Sequence, residues 1–267
     1  MIRARVEAIG RRVLAAVRGG GELWRVFVAT LAGVIRNARH PAYPSGEIAR
    51  QMYAIGNRSL VFIAATLGFV GMVIVYETCL QLAHITGDFA QVGSQFARLV
   101  VSDFGPTLTG LMLATRVGAG IAAELGSMKV TDQVDALRMS GVLPIDYLIA
   151  PRLVASLAMT LVLAIAGSTV MFAAGALTAK LSFAVNPRVF FDLDVVRGRH
   201  VALFAVKALA YGGAVPIVSG FCGLRARGSS EGVGWATTAA VVGSSFAVIA
   251  LDFVLSAAAL WVSGGDL

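Results

Sequence analysis

"SLVFIAATLGFVGMVIVYETCLQL", residues 59–82, decides the fold class. It holds one acidic or basic side chain, Glu77, in 24 positions. A helix of that length, rising about 1.5 Å per residue, reaches about 36 Å and crosses a hydrocarbon core of about 30 Å. Working outward, four further apolar runs follow at about 97–123, 147–179, 201–223 and 236–262, the third long enough to tilt or kink. The composition agrees: the chain is 57% hydrophobic and only 14% charged, with a mean hydropathy of +0.80, whereas soluble domains carry about 25% charged residues. The expectation is an all-α integral membrane protein with about five transmembrane helices.

Upstream of the first span, residues 1–45 read as an amphipathic interfacial or cytoplasmic segment, set apart from a membrane domain over 46–267. Val6, Ile9, Val13, Leu14 and Val17 recur at helical spacing opposite Arg3, Arg5, Arg11, Arg12 and Arg18. After Gly19-Gly20-Gly21, a second stripe runs through Trp24, Phe27, Val28, Leu31, Val34 and Ile35. Helices of this kind lie in the membrane interface. His40-Pro41 and Tyr43-Pro44 end the pattern. No signal peptide is expected, because the first strongly apolar run begins only near Ser59.

The net charge is +7, and ten of the 22 Lys and Arg residues precede residue 59. Basic residues ahead of a span point to anionic headgroups rather than nucleic acid. The loop over 124–152 has three (Lys129, Arg138, Arg152) and 224–235 has two, while 83–95 has none. This bias places the N-terminus and the 124–146 loop in the cytoplasm, against which the four basic residues of 180–200 stand as an exception. Cys79 and Cys222 fall near opposite faces, so no disulfide is expected. No Cys/His cluster suggests a metal site.

Within the second run Gly110, Ala114, Gly118, Ala122 and Gly126 recur every four residues. Small residues at that interval form a strip against which another helix packs closely. Gly212, Pro216 and Gly220 repeat the pattern in the fourth run, with a kink expected at Pro216.

The densest polar cluster lies between two spans, in "GAGIAAELGSMKVTDQVDALRMSG" (118–141). Thr131 suits an N-cap, Gly141 a C′ position, and Pro144 comes just after, defining a helix of about ten residues. Val130, Val134 and Leu137 line one side; Asp132, Gln133, Asp135 and Arg138 occupy the rest. Such a helix reads equally as a solvated interfacial loop or as a docking helix for a partner that pushes on the spans. Ionisable residues inside spans are candidates for pairing or function: Glu77, Asp103, Arg116, Lys207 and Asp252. Consecutive antiparallel spans are usually neighbours, so two readings stand for Lys207 and Asp252: an ion pair, or Lys207 snorkelling outward while Asp252 meets backbone or water in a cavity.

The sequence has no GxxxxGK[ST], no HExxH and no GxSxG, so no enzymatic reaction and no bound cofactor is expected of this chain. "DFGPTLTGLMLATRVGAGIAAELGSMKVTDQVDAL" (103–137) resembles the signature of the MlaE/YrbE permeases, the membrane subunits of MCE-type lipid ABC transporters. "FVGM" (69–72), "PR" (151–152) and "GVGWATTAAVVGSSFAVIALDFVLS" (232–256) add to the resemblance, which covers roughly 47–262. Trp235 and Ala239 stand where members often carry arginines, and Ser102 where some have one.

The resemblance implies that 124–141 is a coupling helix seated in a separate ATPase subunit, which hydrolyses ATP with Mg. Glu124, Gly126, Lys129, Asp132, Gln133, Asp135 and Arg138 are then the coupling residues. It further implies a second permease copy or paralogue, MCE-domain partners, a phospholipid or other hydrophobic cargo, and a bacterial inner membrane. Two other readings stay open on the residues alone. One is an ion-coupled secondary transporter using Glu77, Asp103 or Asp252; the other is a non-transporting membrane scaffold.

Overall fold

The computed structural model describes residues 20–37, 43–44, 46–85, 87–192 and 195–262. The stripe expected over Val6–Val17 and the His40-Pro41 stop lie outside them. Among the described residues all regular structure is helical. Five helices are long and apolar enough to cross a membrane: span 1 (Glu47–Ile85), span 2 (Val92–Val130), span 3 (Ile145–Phe183), span 4 (Gly198–Leu224) and span 5 (Ser230–Val262). The chain is a multi-pass membrane protein. Each helix outruns the apolar run that announced it. Hydropathy ends where side chains turn polar, but backbone hydrogen bonding continues through amphipathic end turns such as Glu47–Ile55 and Val92–Leu99.

The longer helices correct two local expectations. Arg152, counted above with a loop, lies in the first turn of the helix Ala150–Phe183 and is 3% exposed. Thr131 does not cap the next helix: its hydroxyl donates to the Ser127 carbonyl, within the end of span 2. The short helix is Gln133–Met139, seven residues, entered through Asp132 in the left-handed region at φ 60°. Glu124 and Gly126 therefore belong to span 2 rather than to the loop. The expected exit is present: Gly141 takes φ 80°, and its N–H donates to the Arg138 carbonyl. Span 4 continues as one helix through Pro216.

Three π-helical turns interrupt the spans, at Val100–Phe104, Ala114–Gly118 and Ile145–Ile149. Each widens the helix by a residue and rotates the face presented by the next turns. Each also carries an ionised side chain: Asp103, Arg116 and Asp146.

Span 3 packs along spans 1 and 4, and span 2 packs against spans 4 and 5. Spans 1 and 3 touch closely enough that a Cβ on Gly71 would overlap the Met171 carbonyl. The small-residue strip of span 2 faces spans 4 and 5. Ala114 and Ala122 are fully buried, Gly110 lies against Tyr211, and Gly118 lies against Ser219 and Ser244. Only 6% of the apolar window of span 5 is buried, compared with 33–50% in the others. Trp235, Phe246, Phe253 and Trp261 point outward from it. In water that surface would drive association; against lipid tails it is compatible with solvation.

Helix 20–37 lies across the ends of spans 3 and 4. Its buried positions are Thr30, Gly33 and Asn37 rather than the apolar stripe. Arg36 grips Asp146 bidentately, at 2.7 and 2.8 Å from one nitrogen and 3.0 Å from another. Asn37 donates to the Asp146 carbonyl, and Arg225 at the end of span 4 meets Glu22 at 3.3 Å. Trp24, Val28, Leu31 and Ile35 are left exposed, as the lipid-facing side of an interfacial helix would be.

Candidate functional site

Two constellations collect most of the ionised residues that the spans bury. The first joins spans 2, 4 and 5. Lys207 Nζ, fully buried, lies 2.6 Å from Asp103 Oδ1 and 2.9 Å from Asp252 Oδ1. The Lys207–Asp252 pair, one of the two readings from the sequence, is thus in contact, and a second acid joins it. Asp252 Oδ1 also accepts from Thr107 Oγ1 at 2.9 Å and from Tyr211 Oη at 2.8 Å. Tyr211 lies four residues beyond Lys207, so one helical face presents both groups. Two carboxylates and one ammonium leave the cluster at a formal 1 − 2 = −1.

Exposure within the cluster is uneven. Asp103 remains 44% exposed and Asp252 28%, while Lys207 is sealed between them. Beside Asp103 opens a small cavity of about 160 Å³ lined by Arg98, Ser102, Leu203, Ser256 and Leu260 among others. A buried ammonium needs compensation of this kind; removing a partner from a buried ion pair costs about 3–5 kcal/mol. Glu77 and Arg116 are not brought into the cluster. Glu77 is exposed on span 1, and Arg116, also exposed, donates to Ser59 Oγ at 2.6 Å.

The second constellation forms around the turn between spans 2 and 3. Glu124 Oε1 accepts from Arg152 Nη2 at 2.7 Å. The remaining Arg152 nitrogens, Nε and Nη1, are buried without a hydrogen-bond partner among the described residues. Glu124 is half exposed, so the pair runs from a sealed guanidinium at the head of span 3 to a carboxylate on the rim of span 2. Gly126 packs against Val233 and Ala226, joining this rim to span 5.

Beyond the rim, Val134 is fully buried and seats the short helix on the membrane domain. Asp135 lies 2.7 Å from Lys129 and 3.2 Å from Arg138. The Lys129 hydrogen bond holds its carboxyl below the ordinary carboxylate range, although some burial works against this. Asp132, Gln133, Arg138 and Met139 are left exposed along the outer side. The result is a wedge, apolar beneath and polar above, tied to the end of span 2 by the Lys129–Asp135 ion pair. Sequence reading missed Arg152, Tyr211, Thr107 and Asp146. Of these, Arg152 carried a signal as part of the "PR" pair and Thr107 as part of the 103–137 stretch.

Comparison with known proteins agrees with this architecture. Residues 48–258 match the model of the family described as Permease MlaE. A probable ABC transporter permease protein of Synechocystis sp. is 34% identical over 208 residues, 77% of this chain and 79% of the relative. The intermembrane phospholipid transport system permease protein MlaE of Haemophilus influenzae is 29% identical over 261 residues, covering 94% and 96%. A chloroplast protein of Arabidopsis thaliana, TRIGALACTOSYLDIACYLGLYCEROL 1, is 32% identical over 209 residues, 78% of this chain and 59% of its own length. The match spans all five membrane helices and both constellations, and the chain belongs to the MlaE permease family of transporter permeases rather than to a family of enzymes.

Proposed function

We propose that the chain is the permease subunit of an ABC transporter that moves phospholipids or other hydrophobic lipids between membranes. A separate ATPase docks on the segment 124–141 and supplies the energy, two permeases form the membrane unit, and MCE-domain proteins receive or deliver cargo on the opposite face. The membrane is a bacterial inner membrane, with the N-terminus and the 131–144 turn in the cytoplasm. The family and the phospholipid-transporting relative in H. influenzae support this reading.

The observation that carries it is the wedge. Val134 anchors the short helix, Asp132, Gln133 and Arg138 are offered outward, and Glu124–Arg152 ties the rim to spans 2 and 3. A force applied at the polar side reaches span 2 through Lys129–Asp135, and Glu124–Arg152 joins span 2 to span 3. The ion-coupled alternative fits less well, because Lys207 fills the space between Asp103 and Asp252 that a coupling cation would occupy.

The test is co-purification. With the Asp132→Lys/Asp135→Lys double variant, the ATPase should be lost while the permease still inserts and is recovered from the membrane fraction. ATPase retained at wild-type stoichiometry would remove the docking role. ATP-dependent lipid transfer in vesicles, present for the wild type and absent for the variant, separates a transporter from a scaffold.

A further inference from the structure

A cavity of about 770 Å³ lies where helix 20–37 crosses the ends of spans 3 and 4. Four arginines line it: Arg25, Arg36, Arg138 and Arg225. Two acids share the lining, Glu22 and Asp146, and Arg138 is paired with Asp135 at 3.2 Å, which leaves +4 − 3 = +1. The acids are already engaged. Asp146 is 9% exposed and holds Arg36 in a two-point grip, and Glu22 meets Arg225. Arg225 also lies over the Phe221 ring, 4.9 Å from its centroid. Arg25 is exposed and has no ion-pair or hydrogen-bond partner among the described residues. One wall of the cavity is apolar, with Val26, Phe221 and Leu224.

We propose that this cavity binds the phosphate of an anionic phospholipid drawn from the adjoining leaflet. The chemistry is that of a phosphate anion. Arginine forks match phosphate oxygens two at a time, and a pocket of a few hundred cubic ångströms with a few convergent polar groups is the usual form of a small-ligand site. Arg36 and Arg225 are preset by their acids, and Arg25 supplies the uncompensated charge. The source is a lipid headgroup rather than a free anion for two reasons. Val26, Phe221 and Leu224 offer a surface for acyl chain at the cavity wall. The neighbouring Trp24, Val28, Leu31 and Ile35 present the same helix to hydrocarbon. The site requires only that the chain be embedded in a bilayer; it does not depend on ATPase docking or on the nature of the cargo.

The full chain, purified in detergent micelles containing phosphatidylcholine and phosphatidylglycerol in equal amounts, is tested by native mass spectrometry for retained anionic lipid. Wild-type protein should retain phosphatidylglycerol in preference to phosphatidylcholine. Arg25→Gln/Arg225→Gln should bind it about tenfold more weakly. Arg25→Gln alone breaks no ion pair, so its fold is undisturbed, and it should already lose part of the retention. Arg58→Gln removes an exposed charge outside the cavity from the same side of the membrane domain and should behave as wild type. Retention by Arg25→Gln equal to wild type, or an equal loss with Arg58→Gln, would overturn the site. Displacement of the lipid by inorganic phosphate at matching concentration would overturn the lipid assignment in favour of a soluble anion.

Discussion

Lys207 has a carboxylate on each of two neighbouring spans within hydrogen-bonding distance, so the cost of losing an acid depends on whether the other remains. Asp252→Asn leaves Asp103 in place, and the new amide oxygen can still accept from Thr107 and Tyr211; the expected loss is about 1 kcal/mol. Asp103→Asn/Asp252→Asn strands a fully buried ammonium and should cost about 3–5 kcal/mol, more than the two single changes together. Thermal melting of the purified variants measures both, and strictly additive effects would show that the three groups do not act as a unit. Lys207→Met/Asp252→Leu should recover only part of the Lys207→Met loss, because Asp103 would then stand alone, although its 44% exposure softens the cost. The Lys207–Asp252 contact was legible because a lone charge in a span demands a partner and consecutive spans are neighbours. Asp103 was legible as a charge but not as the second partner. Its direction is set by the π turn Val100–Phe104, and nothing in the local residues announces that extra residue. Arg152 was misplaced for the opposite reason: charge suggested loop, while Glu124 on another span makes its burial possible.

At the scale of helices, glycines separate into those that permit contact and those that only occupy a turn. A side chain at Gly71 must displace the Met171 carbonyl, a backbone atom that cannot rotate away. Gly71→Ala should therefore push spans 1 and 3 apart and cost about 1–3 kcal/mol, in the range of overpacked interiors. Gly120 is exposed in span 2, with nothing within 4 Å of an added Cβ. Gly120→Ala should be neutral or stabilising by about 0.5–1 kcal/mol through helix propensity. A melting temperature lowered equally by both changes would mean that glycine content, not contact, governs these helices. The strip from Gly110 to Gly126 could be read in advance because small residues at a fixed interval are a property of sequence. The entry to the short helix could not. Thr131 has the chemistry of a cap, but its hydroxyl finds the Ser127 carbonyl one turn back while span 2 is still helical, and the chain turns at Asp132 instead. Element type and number came from hydropathy; element ends came from hydrogen bonding that hydropathy does not register.

For the molecule as a whole, the five spans fix which loops share a side, and one measurement fixes which side is which. The turn 131–144, the junction of spans 4 and 5 and the docked helix 20–37 all lie at one end of the bundle. The connections between spans 1 and 2 and between spans 3 and 4 lie at the other. Among the described residues the first end carries Arg25, Arg36, Arg50 and Arg58 together with Lys129, Arg138, Arg152, Arg225 and Arg227; the second carries Arg98, Lys180, Arg188, Arg197 and Arg199. Lys and Arg near span ends favour the cytoplasm, so the first end is expected inside. Basic residues at the other end weaken the bias without reversing it. On a background with Cys79→Ala and Cys222→Ser, a cysteine at Asp88 should react with an impermeant thiol reagent in intact cells. Cysteines at Asp132 and Ser229, both exposed in the structure, should react only after permeabilisation. If Asp132→Cys labels from outside, the wedge faces away from any cytoplasmic ATPase, and the proposed coupling fails with the topology. If Ser229→Cys and Asp132→Cys differ from each other, the five-span count itself fails, because both positions lie at the same end of the bundle.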